Sequence, residues 1–413
     1  MPDYDVIVCG GGIGGLTLAR ALGRQGRRVL VLEKQRHVPQ VHKGELLQPR
    51  SLHILGTLGA LDGLRAAGAL TAERLSCRTE KGEEIGALDY RGLDDPYRYC
   101  LVHTYAAIKG TVTAGLDAEV RYGARADELL RDGSGRVRGV AVVAGRKREE
   151  VTAALVVACD GSGSRLRTQA GIEVRRTPYG HQLVGYDLAD PGLGPDIAAH
   201  LTRDGLRLLF PMPAGRARLY AQVPAGGVRR PELAAWTDDM LRRVPALAEV
   251  AEPLRASAHD AQVVAAYRYN AARWVTPGFA LTGDAAHCVH PMAGQGMNAA
   301  IADAWTLAEN LTDAGELTQE SVDAALGRYD AIRRPAIDYV SRLSHNLAML
   351  FTDTSWRIRV VGRHMLRRNQ HNHRLQTIIT YNMSGLGVRR FTVRDRFVQF
   401  GLLRDREEAP TYA

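Results

Sequence analysis

Six residues near the start of the chain, Gly10-Gly11-Gly12-Ile13-Gly14-Gly15, restrict its fold more than any other stretch. They satisfy G-x-G-x-x-G through Gly10, Gly12 and Gly15. The run follows Val6-Ile7-Val8-Cys9, an uninterrupted apolar segment of the kind that forms a parallel strand covered on both faces. It precedes a segment with Leu18 and Leu22 four apart, which predicts a helix. Arg28-Val29-Leu30-Val31-Leu32 then predicts a second strand, closed by Glu33. In that context the glycines allow a tight turn, close approach of the backbone to a pyrophosphate, and close helix–strand packing. The helix N-terminus supplies free N–H groups and the positive end of a dipole. Gly10, Gly12, Ile13, Gly14 and Gly15 are therefore expected at the phosphates of a dinucleotide. Glu33 is expected at its ribose, with Lys34 alongside. The turn alone does not separate NAD from FAD.

The rest of the chain alternates between strand-like and helix-like stretches. Ser51 to Ala67 has helical periodicity through Leu52, Leu55, Leu58 and Leu61. Val120 to Ala158 reads as strands with a turn at Asp132-Gly133-Ser134-Gly135, and Gln182 to Val223 is again strand-rich. A helical piece is expected near Pro231 to Val250 and a strand near Gln262 to Tyr267. Phe279 to Thr282 reads as a strand, followed by a Gly-rich loop and a helix from about Gly296 to Leu311. Beyond that the chain reads as mostly helical to about Leu366.

Composition excludes several classes. The cysteines Cys9, Cys77, Cys100, Cys159 and Cys288 show no paired spacing, which argues against a disulfide framework or zinc module and suits a reducing cytoplasm. No leader-like segment precedes the first strand, and no apolar run is long enough to span a bilayer. His287 and His290 lack the acid of a helical zinc motif, so no metal is expected. His364, His371 and His373 are expected on a polar face, and Asp303 in a structural role. The formal charge of +9 is local: twelve arginines lie between Arg357 and Arg406, opposed there by Asp395 and Asp405. This favours a solvated, salt-bridged face over nucleic acid. Peripheral contact with an anionic membrane is the less favoured reading.

Two later motifs complete the picture. Gly283-Asp284-Ala285-Ala286-His287-Cys288-Val289-His290-Pro291-Met292-Ala293-Gly294-Gln295-Gly296-Met297-Asn298 resembles the second FAD fingerprint of the p-hydroxybenzoate hydroxylase and ubiquinone-biosynthesis hydroxylase family. Asp160-Gly161-Ser162-Gly163-Ser164-Arg165-Leu166-Arg167 resembles that family's D-G-x-x-S-x-x-R motif. The three motifs stand in the family order, and the resemblance covers about the first 340 residues. It implies non-covalent FAD held by Asp160, Arg165, Gly283, Asp284, Pro291, Gly294, Gln295, Gly296, Met297 and Asn298 besides the first loop. Asp284 is placed at a ribityl hydroxyl. The chain departs from the family at His42-Lys43-Gly44-Glu45, where many members carry arginine, and at His103, where arginine or glutamine is usual. His42, Lys43 and His103 nevertheless fall at flavin-contacting positions.

The fold implied is α/β (α+β). A Rossmann-like FAD-binding domain is expected from 1–75, 101–176 and 268–345. An inserted β-sheet substrate domain is expected from 76–100 and 177–267, and a helical, basic C-terminal region from 346–413. The activity implied is a cytoplasmic monooxygenase that uses NAD(P)H as a transient co-substrate and O2, through a flavin C4a-hydroperoxide, to hydroxylate an aromatic small molecule. Tyr186, Phe210, Pro211, Met212, Tyr220 and Pro291 are candidate pocket residues. A halogenase is disfavoured because Trp236, Trp274, Trp305 and Trp356 never fall in W-x-W-x-I-P. The same fold also serves FAD-dependent reductases, which consumption of O2 separates from the hydroxylase, and non-catalytic flavin-binding proteins, which a yellow protein that oxidises NAD(P)H would exclude.

Overall fold

A computed structural model describes residues 2–38, 45–189 and 192–403. The expected flavin contacts His42 and Lys43 lie outside the described residues. The first sheet grows around the strand Tyr4–Cys9, whose last four residues are buried. Its order is Val275–Thr276, Phe279–Leu281, Lys147–Ala158, Tyr4–Cys9, Val29–Glu33, Glu119–Tyr122. The four pairings from Phe279–Leu281 to Glu119–Tyr122 are parallel. Val6, Ile7, Val8, Leu30, Val31 and Leu155 to Ala158 are buried on both faces, which is why these runs carry no polar alternation. The helices Ile13–Gly23 and Gln295–Asp313 pack against one another beside this sheet.

The second sheet is also eight-stranded and almost wholly antiparallel. Thr177–Ala189, Ile197–Thr202, Gly205–Met212, Arg216–Pro224 and Gln262–Asn270 form its body. The strands Arg74–Thr79 and Glu84–Asp89 extend it at one edge, and His287–Cys288 closes the other. The third motif is thus hydrogen-bonded into the second sheet, through Tyr269 opposite Cys288 and Asn270 opposite His287.

Alternation along these strands divides the sheet into two faces. Ala217, Leu219, Ala221, Val223, Leu209 and Tyr186 join a cluster with Leu233, Met240 and Leu254, from the helices Leu233–Arg243 and Ala251–Ser257. Leu206, Leu208, Phe210, Met212 and Tyr220 look the other way. They join Leu46, Met292 and Ala293 from loops of the first sheet, and Phe351 and Met383 from the C-terminal helices.

One helical expectation is corrected. The helix expected over Ser51 to Ala67 is two helices, Pro49–Thr57 and Leu61–Ala66. Gly59, at φ +67, ends the first, and the Ala60 N–H turns back to the Leu55 carbonyl. The C-terminal region is helical, as expected: Gln319–Thr352 is followed by Trp356–Gln370, His373–Met383 and Val393–Gln399.

Arg20 is a buried cation on the helix Ile13–Gly23, and it tidies the ends of its neighbours. Its guanidinium donates to the carbonyls of Leu58 at 2.8 Å, Gly59 at 3.1 Å and Val112 at 3.1 Å, and to that of Ala114. These carbonyls lie at helix ends, where no intrahelical donor remains. Arg20→Met is expected to lower stability by about 3 kcal/mol, because it strands several buried acceptors. Urea denaturation of both proteins checks this.

Candidate functional site

The phosphate loop shows which glycines are structural and which leave room. A Cβ on Gly10, at φ +120, would lie 2.3 Å from the Cys159 carbonyl oxygen. One on Gly15 would lie 2.1 Å from the Gly10 oxygen. Both positions are closed by backbone. Gly12 differs: a Cβ there would meet only the Tyr105 hydroxyl, at 3.7 Å. Gly12 is also the N-cap of the helix Ile13–Gly23 and offers no side chain to its free N–H groups. The result is an open cradle at a positive helix end, suited to a pyrophosphate. Glu33 accepts from the Gly11 N–H at 3.0 Å and the Gln35 N–H at 2.8 Å, which aims its carboxylate at the same loop. Lys34 is exposed next to it.

The second motif needs a correction. Asp160 accepts the Arg165 backbone N–H at 3.1 Å, and Ser164 caps the helix Arg165–Gln169. The Arg165 side chain, however, is 56% exposed and pairs with Asp127 at 3.2 Å. Arg167 is the inward arginine. It donates to the Ala285 carbonyl at 2.7 Å and the Ser162 carbonyl at 3.1 Å, tying the second motif to the third. The helical turn decides this: with Ser164 as cap, Arg165 is the first residue out and points to solvent. Asp160 keeps one carboxylate oxygen buried without a partner, and burial pushes its pKa up.

The third motif is fixed by Asp303, which is fully buried on the helix Gln295–Asp313. Its carboxylate accepts from the Gly283 N–H at 3.0 Å, His287 Nε2 at 2.6 Å and Arg333 Nε at 2.8 Å. Burial alone would raise the Asp303 pKa, but His287 and Arg333 outweigh it and hold the carboxyl below its usual range. The neighbouring Asp284 is half-buried, and its carboxylate has no protein partner among the described residues. Gly294, at φ +59, caps the long helix without a side chain. A Cβ on Gly296 would meet nothing within 4 Å. A second uncapped helix N-terminus therefore opens onto free space. It lies near the first, since Gly14 packs against Ala300 of the same helix.

Asn298 and His103 are also corrected, and Gln295 is engaged on one side. Asn298 donates to the Leu46 carbonyl at 2.9 Å and the Gly294 carbonyl at 2.6 Å, and accepts from Gln48 N and Ser51 Oγ. Its amide is saturated and joins chain segments, with nothing left for a ligand. Gln295 donates its side chain to the Met383 carbonyl at 2.9 Å. His103 accepts the Thr104 N–H on Nδ1, so its ring proton sits on Nε2 and goes to the Ala67 carbonyl at 3.0 Å. Tyr105, two residues on, is the side chain that faces the loop. Burial raises its pKa first, and the charges of Glu33 and Asp284 add to the effect.

The second sheet presents Phe210, Met212 and Tyr220 toward Met292 and Ala293, while Pro291 is exposed beside them. Tyr186 and Pro211 do not share that face. Tyr186 donates or accepts a hydrogen bond with Thr237 at 2.8 Å on the opposite side, and Pro211 stands opposite Ala217 of that same face. One polar network breaks the apolar wall. Glu45 accepts from Arg218 Nη1 at 2.5 Å and from the Tyr220 hydroxyl at 2.8 Å, with both charged side chains almost wholly buried. The Arg218 Nε is buried without a partner.

His287 and His290 diverge and serve different partners. His290 Nδ1 accepts the Met292 N–H at 3.0 Å, leaving its proton on Nε2, 2.8 Å from His181 Nε2. Tyr179 packs edge-on against His290 and bonds His345 at 3.1 Å. Two neutral imidazoles thus latch the flavin-loop candidate to the sheet. Neither Glu45 with Arg218 nor this latch was expected from the sequence. Their partners lie more than a hundred residues apart, and no local spacing signals them.

Gly15→Ala is expected to prevent the loop from forming. Gly12→Ala is expected to fold normally yet lose FAD, since only the cradle is filled; flavin absorbance after gel filtration separates the two. Asp303→Asn is expected to cost about 3 kcal/mol, because His287 and Arg333 lose their buried anion. Thermal unfolding of the variant measures that. The His290 pKa is pushed down to about 3, first by burial and then by His181 and His345. The latch therefore stabilises the fold fully above the ordinary histidine value of 6.5, and this contribution is lost as pH falls from there toward 3. Comparing acid unfolding of the wild type with His290→Gln checks this: the variant should show less of that loss.

Comparison with known proteins agrees with the site. Residues 3–344 match the family model described as FAD binding domain. The chain is 30% identical over 358 residues to 6-methylpretetramide 4-monooxygenase of Streptomyces rimosus, covering 82% of each chain. It superposes on Pseudomonas aeruginosa PqsL in complex with 2-aminobenzoylacetate with a TM-score of 0.75 at 27% identity, covering 85% of this chain and 97% of that one. It shares the fold of p-nitrophenol 4-monooxygenase PnpA of Pseudomonas putida, with a TM-score of 0.81 at 22% identity and coverage of 94% and 99%. With two uncapped helix ends and Glu33 bonded to the glycine loop in one chain, these likenesses establish that the protein belongs to the FAD-binding family of flavoprotein monooxygenases.

Proposed function

We propose that this FAD-dependent monooxygenase uses NAD(P)H and O2 to hydroxylate an extended, largely apolar aromatic ring system. The observation that carries the substrate class is the inner face of the second sheet. Phe210, Met212, Met292 and Ala293 offer apolar area, and the Glu45–Arg218–Tyr220 network supplies one polar point. A pocket of that kind selects by shape and fixes orientation with a single polar contact. Relatives whose names specify fused-ring substrates support the same reading, among them the 6-methylpretetramide enzyme and OxyS anhydrotetracycline hydroxylase of Streptomyces rimosus.

Residues 1–75, 101–176 and 268–345 would then be the FAD-binding domain, 76–100 and 177–267 the substrate sheet, and 346–413 the helical, basic C-terminal region. The chemistry supplied by bound FAD is hydride acceptance from NAD(P)H and activation of O2. The protein's own groups position and protect that chemistry. Gly12, Ile13 and Gly14 would hold the pyrophosphate, Glu33 the adenosine ribose and Asp284 the ribityl chain. The N–H groups of Gly296 and Met297 face the region where negative charge would accumulate, and a helix N-terminus stabilises it there. Arg218 and Tyr220 would orient a substrate oxygen, and the apolar wall would exclude water.

FAD-loaded enzyme, NADPH and O2 should convert multi-ring phenols to products one oxygen atom heavier, with single-ring phenols poorer substrates. Conversion of single-ring phenols alone would overturn the substrate class. Met212→Arg is expected to lower kcat/KM by at least about tenfold at unchanged FAD content, because it places a charge on the apolar wall. Steady-state kinetics on the best multi-ring substrate measures it.

A further inference from the structure

The C-terminal helices expose an apolar surface that the catalytic assignment does not use. Among the described residues, eleven of the fifteen exposed large hydrophobic residues lie between Met349 and Leu403. Trp356 is 66% exposed, Val393 74% and Leu402 68%. The helices Trp356–Gln370 and Val393–Gln399, which carry six of the eleven, touch one another. On the helix Trp356–Gln370, Trp356, Val360, His364 and Arg368 follow one another at four-residue spacing and share a face. Gly401 lies against His364, and Arg368 Nη2 donates to the Leu403 carbonyl at 3.2 Å. The Leu402 N–H bonds back to the Phe397 carbonyl at 2.9 Å. The segment Phe397 to Leu403 therefore runs beside the His364–Arg368 half of that helix, one turn beyond Val360.

The stretch that carries these residues is strongly basic, with Arg363 and Arg367 paired to Glu80 and Glu83 from another segment. From 346 to 403 the chain has ten arginines and two acids, Asp353 and Asp395. Asp395 is buried and engaged by Arg374. Arg357, Arg389 and Arg390 are exposed next to Trp356 and Val388.

We infer that this face docks the enzyme on an anionic lipid surface. Apolar tips enter the headgroup region while guanidinium groups pair bidentately with lipid phosphates, and Trp356 sits at the level where tryptophan is favoured. The interleaving of arginine with apolar side chains favours this occupant over a second copy of the chain. A two-fold pairing of the patch would set one arginine cluster against another. Leu343, Leu347 and Leu350, on the preceding helix, pack against the apolar cluster of the substrate face, so the docked surface adjoins that face. The inference does not depend on the substrate reading.

The test is co-sedimentation of FAD-loaded, full-length protein with vesicles of phosphatidylglycerol in phosphatidylcholine, against phosphatidylcholine alone. Binding to the anionic vesicles only, weakened by salt, is the expected result. Trp356 emission should shift to the blue on binding, and a Trp356→Phe variant should lose that shift. The exposed double variant Phe400→Glu, Leu402→Glu should weaken binding at least about tenfold. The exposed set Arg357→Gln, Arg389→Gln, Arg390→Gln should do the same. FAD content and NADPH oxidation should stay unchanged in both. Equal sedimentation with neutral vesicles, or binding unaffected by both variants, overturns the inference. So does a dimer seen by light scattering that the apolar variants dissolve while vesicles recover no protein.

Discussion

The buried carboxylate of Asp303 is the interaction on which the site's geometry depends. It sits in the first core, yet it receives the Gly283 amide, the His287 ring and the Arg333 guanidinium. A lone buried anion would be costly. Three donors converging on two oxygens make it tolerable, and they fix the direction in which the chain leaves the strand Phe279–Leu281. That direction sets Asp284 beside the first loop and delivers Gly294 as the cap of the long helix. Arg167 reinforces the arrangement from the second motif by holding the Ala285 carbonyl.

From that clamp outward, the chain runs directly from cofactor cradle to substrate wall. His287 and Cys288 pair with Asn270 and Tyr269, so the flavin loop is also an edge of the second sheet. His290 is latched to His181 on the same sheet. Met292 and Ala293 then enter the apolar cluster of Phe210 and Tyr220. One stretch of about ten residues therefore couples the position of the cofactor to that of the substrate, without a hinge or linker between the two sheets. Asn298 adds a second tie by joining the long helix to Leu46, Gln48 and Ser51.

The legible parts of the sequence were those set by local sterics. Gly10 and Gly15 admit no side chain, so a glycine pattern between an apolar strand and a helix announces its loop. What depends on tertiary direction was not legible. Alternation shows that Tyr186 and Tyr220 each point out of the sheet, but not which face is inner, and these two point opposite ways. The family motif includes Arg167, and the cap at Ser164 explains why it, and not Arg165, turns inward. His103 holds the backbone while Tyr105 takes the place beside Gly12. The Glu45–Arg218 pair and the His181–His290 latch join segments far apart in the chain, so only the fold reveals them. Gly59 shows the reverse case, a helix end that glycine marked and hydrophobic periodicity overran.

The central claim is that the two helix ends and the apolar wall together make a site that puts one atom of O2 into an aromatic ring. Turnover of the preferred multi-ring phenol under 18O2, with NADPH and the FAD-loaded enzyme, tests it most directly. One 18O atom per hydroxylated product is expected, and none when the label is in the water. Label from water, or NADPH oxidation that yields hydrogen peroxide with no labelled product from any aromatic substrate, would contradict it.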